Sequence, residues 1–232
     1  MPTFVTTSPL QLHQAVELSN DDLYHLTHVL RIKPGEIFHV TDNQGTVGEV
    51  KVTSIKPMIT SLINIFSGEK PFLLTVCLPL IEQDRLEWAI EKLCELNVAT
   101  IQLVTTARTQ NHLLSPNKWQ RLQKIATSSQ KQCGRSFPLK LKETLKLVHI
   151  KIPEGGVGVV ASLEAPLWSV DSFKGTSDQE HFLFVGPEGG FTAEEEKSFE
   201  EKGFLKISLG KTTLRAETGA IVLASLIKHS LF

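Results

Sequence analysis

Two stretches near the C-terminal end carry residue types that can do chemistry. The first, Gly186-Pro187-Glu188-Gly189-Gly190-Phe191-Thr192-Ala193-Glu194-Glu195, follows the apolar run at 181–185. Three glycines in five residues let backbone approach a ligand closely or take up positive φ. The spacing is not that of a GxGxxG dinucleotide fingerprint, and a carboxylate at Glu188 would repel phosphate. The stretch suits a small cationic ligand, backbone recognition of a base, or a plain strand-to-helix turn. Thr192 with Glu195 three residues on predicts a capping box for a following helix. The second stretch is Gly210-Lys211-Thr212-Thr213-Leu214-Arg215-Ala216-Glu217-Thr218. Its first three residues imitate the end of a P-loop, but Leu205 stands where the first glycine of that motif belongs. Arg215 offers a permanently charged planar fork for a phosphate, a carbonyl or a developing anion. The competing reading is a surface ion pair with a glutamate, worth little. A third loop, Ser162-Leu163-Glu164-Ala165-Pro166, also follows an apolar run.

Further upstream, Gln132 and Arg135 sit at the polar, basic end of a predicted helix, where they can bond a base edge or phosphate or simply face solvent. Cys133 lies between them and reads as a buried thiol, since nothing in sequence places a base beside it. His25 and His28 share a helical spacing but lack a third ligand, so no metal site is expected.

Charge is segregated. The chain has 232 residues and a net charge of −1, yet the 47 residues from Leu96 to Lys142 contain no Asp or Glu and eight cations, among them Arg108, Lys118, Arg121 and Lys124. From Asp178 to Glu201 eight acids face only Lys197. The basic stretch is either an electrostatic footprint for a polyanion or a solvated helix face balanced in space by the acidic one. The segment MPTFVTTSPL lacks the basic and apolar regions of a secretory signal. No run reaches the ~18 apolar residues of a membrane span. Three widely spaced cysteines without a CxxC predict no disulfide framework. A cytoplasmic protein without membrane association is expected.

The elements that must position these residues fall into two groups. Residues 1–70 read as a small antiparallel β domain, with a hairpin made by the alternating runs 36–41 and 46–52 around Asp42-Asn43-Gln44-Gly45. A short helix is predicted over 21–30, capped near Asn20. From residue 71 to 232, strands at 72–78, 98–104, 157–161, 181–185 and 204–209 alternate with helices at 86–96, from Pro116 to Gly134, and at 214–231. That alternation predicts an α/β domain with a parallel sheet built by right-handed crossovers. Ligands then bind beyond the carboxyl ends of the strands, where the three loops above lie.

The runs Phe184-Val185-Gly186-Pro187-Glu188-Gly189-Gly190-Phe191-Thr192 and Leu214-Arg215-Ala216-Glu217-Thr218, with Gln132, Arg135 and Pro138, resemble the bacterial small-subunit ribosomal RNA uridine N3-methyltransferases of the SPOUT superfamily. Arg85-Leu86-Glu87-Trp88 and His28-Val29-Leu30-Arg31 extend the resemblance over nearly the whole chain. The sequence departs from the family pattern at Asn97, Lys131, Thr212 and Thr213. The resemblance implies a PUA-like β-barrel for RNA recognition at 1–70 and a SPOUT domain at 71–232 ending in a trefoil knot. It also implies S-adenosylmethionine as methyl donor and a homodimer acting on ribosomal RNA or the small subunit. Carried over, the cofactor contacts are Leu163, Gly186, Pro187, Glu188, Gly189, Gly190, Leu209 and Leu214, and the catalytic residue is Arg215. RNA contacts fall to Arg31, Arg108, Lys118, Arg121, Lys124, Gln132 and Arg135. A SPOUT enzyme with another RNA target and a catalytically silent RNA-binding or ribosome-assembly factor are the alternatives.

Overall fold

Alternating side chains on either side of an Asx turn start the first sheet. Asp42 Oδ1 accepts the amides of Gln44 and Thr46 at 2.7 and 3.0 Å, which closes the turn. On either side of it, β2 (Ile37–Thr41) and β3 (Thr46–Ile55) pair antiparallel. The computed structural model describes residues 3–6, 8–110, 113–169, 173 and 175–231, and divides into two units, residues 1–70 with 127–138 and residues 71–126 with 139–232.

In the first unit, β4 (Met58–Ser67) continues the antiparallel sheet on the far side of β3. At the other edge β1 (Thr3–Val5) pairs parallel to β2, so the sheet is mixed rather than wholly antiparallel. Phe4, Leu26, Phe38, Val40, Val50, Val52 and Leu62 form its core. The predicted helix forms over residues 20–29 as one continuous run that changes type part-way. α1 (Asn20–Tyr24) is capped by Ser19, whose Oγ accepts the Asp22 amide at 3.1 Å, and a π-helical turn follows at His25–Val29. Thr27 Oγ1 donates to the Leu23 carbonyl at 2.8 Å, the back-bond by which a mid-helix Thr disturbs the regular ladder.

Residues 127–138, which the sequence assigns to the second domain, belong to the first unit. Gln130 Nε2 donates to Asn43 Oδ1 at 2.6 Å, Lys131 Nζ meets Asp22 Oδ1 at 2.6 Å, and Thr41 Oγ1 donates to the Ser136 carbonyl at 3.0 Å.

The second unit is a six-stranded sheet in the order β10-β8-β9-β5-β6-β7, every pairing parallel. Its strands are β5 (Phe72–Pro79), β6 (Val98–Thr105), β7 (Lys140–Lys146), β8 (Val157–Ala161), β9 (His181–Phe184) and β10 (Leu205–Ile207). β7 escapes sequence reading because it is an edge strand: KLKETLK carries the lysines that discourage further pairing rather than an apolar run. β10 is shorter than expected, because Ser208 leaves the strand to bond Pro166 and Trp168.

Helices cover both faces. α2 (Gln83–Glu95), α3 (Pro116–Cys133) and α5 (Ala216–Leu231) contribute Leu86, Ile90, Leu93, Leu122, Leu223 and Ile227 to one core, facing Leu74, Val76, Ile101 and Leu183. On the opposite face Phe199 of α4 (Ala193–Glu201) packs with Cys77, Val160, Phe182 and Phe184. The alternation Leu74, Val76, Leu78 to one side and Cys77 to the other is the period-2 signature of a strand buried on both faces. Strand order reverses between β9 and β5, the switch point beside which open α/β sheets form their crevice.

Candidate active site

The three loops singled out in sequence follow β8, β9 and β10, which are neighbours in the sheet and run in one direction, so all three leave from the same edge. Backbone bonds tie two of them: Ser162 N donates to Ile207 O at 2.9 Å, and Ser208 N to Pro166 O at 2.9 Å. Leu163, Leu167 and Leu214 stay exposed at this edge, at 57, 66 and 39 %. Leu209 is half-buried and Pro187 buried.

The glycine-rich loop is held by its own helix and by two other strand ends. The capping box forms as predicted: Thr192 Oγ1 accepts the Glu195 amide at 3.2 Å, and Glu195 Oε2 accepts the Thr192 amide at 2.9 Å. From the loop after β5, at the first turn of α2, Arg85 Nη1 reaches Glu188 Oε1 at 3.0 Å, across the switch point. The same guanidinium meets Glu82 at 3.2 Å and Glu217 at 3.9 Å. Three carboxylates around one arginine leave this cluster net negative, which favours a cationic ligand. From the turn after β6, Arg108 Nη1 donates to the carbonyls of Gly189 and Phe191 at 2.7 and 3.1 Å. Gly190 takes φ +68°, and a Cβ built there meets nothing within 4 Å, so bare backbone faces open space.

Arg215 caps α5: its carbonyl accepts the Gly219 amide at 2.9 Å, and its side chain is exposed. The glutamate nearest in sequence, Glu217, is only 6 % exposed at its side chain; its Oε1 stands 3.9 Å from Arg85 Nε, and its buried Oε2 has no hydrogen-bond partner among the described residues. Arg215 makes no ion pair among the described residues. Gly219, one turn on, lies against the end of β9, where a Cβ would stand 3.8 Å from Val185 Cγ1. The first turn of α5, which Arg215 precedes, therefore stands at the sheet edge that carries the glycine-rich loop.

The residues proposed for RNA contact do not act alike. Lys118 and Lys124 are exposed on α3. Arg121 is exposed too, but it is committed to Glu87, with Nη2 to Oε2 at 2.8 Å. Arg31 and Gln132, both in the first unit, are exposed. Arg135 is a correction: it is 6 % exposed, and its Nε donates to the Phe137 carbonyl at 3.1 Å, so it pins the chain after α3 rather than facing a polyanion. Cys133 is a second correction. It is exposed, whereas Cys77 and Cys94 are buried, and burial pushes the Cys77 thiol far above the ordinary thiol range. His28 stacks on Tyr24 with ring centroids 4.4 Å apart.

Sequence reading missed Arg85 as a residue that shapes the site, and read Glu195 only as half of a capping box. The rule that ligands sit beyond strand ends applied equally to the strands at 72–79 and 98–105, and inspecting the residues after them finds Arg85 and Arg108.

The family model described as an RNA methyltransferase domain matches residues 68–228, and the one described as an RNA methyltransferase PUA domain matches residues 18–57. Ribosomal RNA small subunit methyltransferase E of Synechocystis is 30 % identical over 228 residues, covering 94 % of this chain and 74 % of the relative. The crystal structure of a ribosomal RNA small subunit methyltransferase E from Neisseria gonorrhoeae bound to S-adenosyl methionine superposes with a TM-score of 0.87 at 24 % identity, covering 100 % of this chain and 98 % of that one. A putative methyltransferase from Legionella pneumophila, solved with bound SAM, has a TM-score of 0.84 at 23 % identity, covering 98 and 97 %. Among the described residues no helix is long and apolar enough to cross a membrane.

Proposed function

The chain belongs to the ribosomal RNA small subunit methyltransferase E family, and on that footing we propose that it transfers a methyl group from S-adenosylmethionine to N3 of a uridine in small-subunit ribosomal RNA. Its fold is an α/β SPOUT domain with a PUA-type unit at the N-terminal end. The proposal includes a C-terminal trefoil knot, a cytoplasmic homodimer, and a cofactor held by Leu163, Gly186 to Gly190, Leu209 and Leu214.

The residues present fit that cofactor. Leu163 and Leu214 offer apolar surface for an adenine, the open backbone at Gly190 lets a ribose approach, and the negative cluster around Arg85 suits a sulfonium. When bound, S-adenosylmethionine supplies an electrophilic methyl on a positively charged sulfur. The protein's task lies with the acceptor. A uracil N3 carries a proton at neutral pH and is a weak nucleophile. As that proton leaves to solvent, negative charge spreads onto the flanking ring carbonyls. Arg215, always charged and free of ion pairs among the described residues, stabilises that charge. The N3–C bond then forms as the S–C bond breaks, and the rest is alignment.

The observation that carries the reading is Arg215, exposed at the start of α5 beside the ends of β8, β9 and β10. The test incubates small subunits from a strain lacking the modification with the protein and methyl-labelled S-adenosylmethionine, followed by nucleoside analysis. Label in 3-methyluridine, lost in Arg215→Ala at unchanged cofactor affinity, supports it. Label in another nucleoside refutes the N3 assignment. Cofactor binding without transfer to any RNA would move the reading to a silent RNA-binding or ribosome-assembly factor.

A further inference from the structure

The turn after β6 precedes the basic helix in the chain and is tied by three hydrogen bonds to the segment 189–195, and it is closed on itself. Thr106 N donates to Thr109 Oγ1 at 2.8 Å, the two hydroxyls are 3.1 Å apart, and Thr109 N returns a bond to Thr106 O at 3.2 Å. Both threonines are buried, so Ala107 and Arg108 stand exposed on a fixed base. Each then reaches the neighbouring loop. Ala107 N donates to Glu195 Oε1 at 2.9 Å, on the same carboxylate that closes the capping box. Arg108 bonds two carbonyls with one nitrogen, at Gly189 and Phe191. Its aliphatic stem lies so close that a Cβ at Gly189 would stand 3.3 Å from Arg108 Cβ and Cδ. Any side chain at 189 would push the stem away.

We propose that Arg108 is a positioning residue for the cofactor loop rather than a phosphate contact. The inference rests on reading 186–190 as that loop. A loop whose carbonyls are already fixed loses little conformational freedom when a ligand binds, so its order is converted into affinity. Two bonds from a charged donor are the stronger kind of hydrogen bond and give this one residue leverage over the loop. A phosphate contact would instead add to the salt dependence of RNA binding.

The test compares the full-length wild type with Arg108→Ala and Arg108→Lys. Isothermal titration with S-adenosylmethionine should show a roughly tenfold weaker Kd in the alanine variant, with partial recovery in the lysine variant, which keeps a donor and most of the stem. In turnover, KM for the cofactor rises while KM for RNA holds. The salt slope of RNA binding stays at the wild-type value. Hydrogen exchange across residues 186–192 reads loop order without any ligand and should quicken in Arg108→Ala. Unchanged cofactor affinity with a salt slope lowered by about 0.7–0.9 would make Arg108 a phosphate contact and overturn the proposal. Unchanged exchange across the loop would overturn it as well. A wild type that binds no S-adenosylmethionine sinks the methyltransferase reading instead, while the exchange measurement still decides whether Arg108 orders the loop.

Discussion

Replacing Glu195 with alanine removes two ties at once, and the size of the loss can be worked out from the geometry. Oε2 accepts the Thr192 amide and Oε1 the Ala107 amide, both at 2.9 Å. A hydrogen bond to a charged group contributes about 1.5–3 kcal/mol when well buried. Glu195 is half-buried, so about 1 kcal/mol each is the fitting scale. A carboxylate in the first turn of α4 adds about 0.3–1 kcal/mol through the helix dipole, partly offset by relief of repulsion from Glu194 and Glu196. The expected loss for Glu195→Ala is therefore about 2–3 kcal/mol. Glu195→Gln keeps one acceptor oxygen and should lose about half as much. Thr192→Ala removes the other half of the box at about 1 kcal/mol, and the double variant should fall short of the sum by about 0.5 kcal/mol, because the two bonds support each other. All three tryptophans, Trp88, Trp119 and Trp168, lie in the second unit, so urea unfolding followed by their fluorescence reports on the unit that holds α4. Amide exchange at Ala107 and Thr192 gives a local readout. A Glu195→Ala variant within 0.5 kcal/mol of wild type, with both amides exchanging as before, would refute the brace and with it the argument for a pre-ordered loop.

Two further outcomes are expected. His181 is fully buried beside Phe72 and Phe173, and burial lowers its pKa, with only partial compensation from backbone groups at Leu73 and Gln179. The unfolded chain then binds the proton first, so stability falls as pH drops below about 6.5, by at most about 1.4 kcal/mol per pH unit; the difference between wild type and His181→Leu between pH 7.5 and 5 should show that slope, and a flat difference would mean the imidazole is not desolvated in solution. RNA binding from 50 to 200 mM salt should lose about 0.7–0.9 in slope for Lys118→Ala and for Lys124→Ala. Arg121→Ala should lose less, since its guanidinium already serves Glu87; an equal loss at all three positions would show that RNA displaces that pair.

Much of the fold was legible in the chain, because its signals are local. The hairpin at 36–52 is written in an Asx turn between alternating runs, and the capping box in two residues three apart. The buried strands declare themselves as apolar runs, and their alternation with helices predicts the parallel sheet. The edge strand β7 did not, because an edge is kept polar, and β4 was missed as well. The glycine-rich loop and Arg215 were legible as candidates for the same reason: one needs bare backbone and the other a fixed charge, and both are properties of residue type.

What those candidates do was decided by the tertiary structure. Arg85 reaches Glu188 from 103 positions away and stands 3.9 Å from Glu217, so the acidic cluster at these strand ends is assembled by the sheet. Arg108 reads as one more cation in a basic run until strand order sets it beside Gly189, 81 residues on. Arg135 and Cys133 exchange their expected burial because residues 127–138 fold into the first unit, where Lys131 finds Asp22 across 109 residues. Capping, turns and periodicity depend on backbone groups within about four residues, so they are written in the chain. The partner of a charge depends on which strands lie side by side, and that is settled only when the whole sheet assembles and buries its two faces.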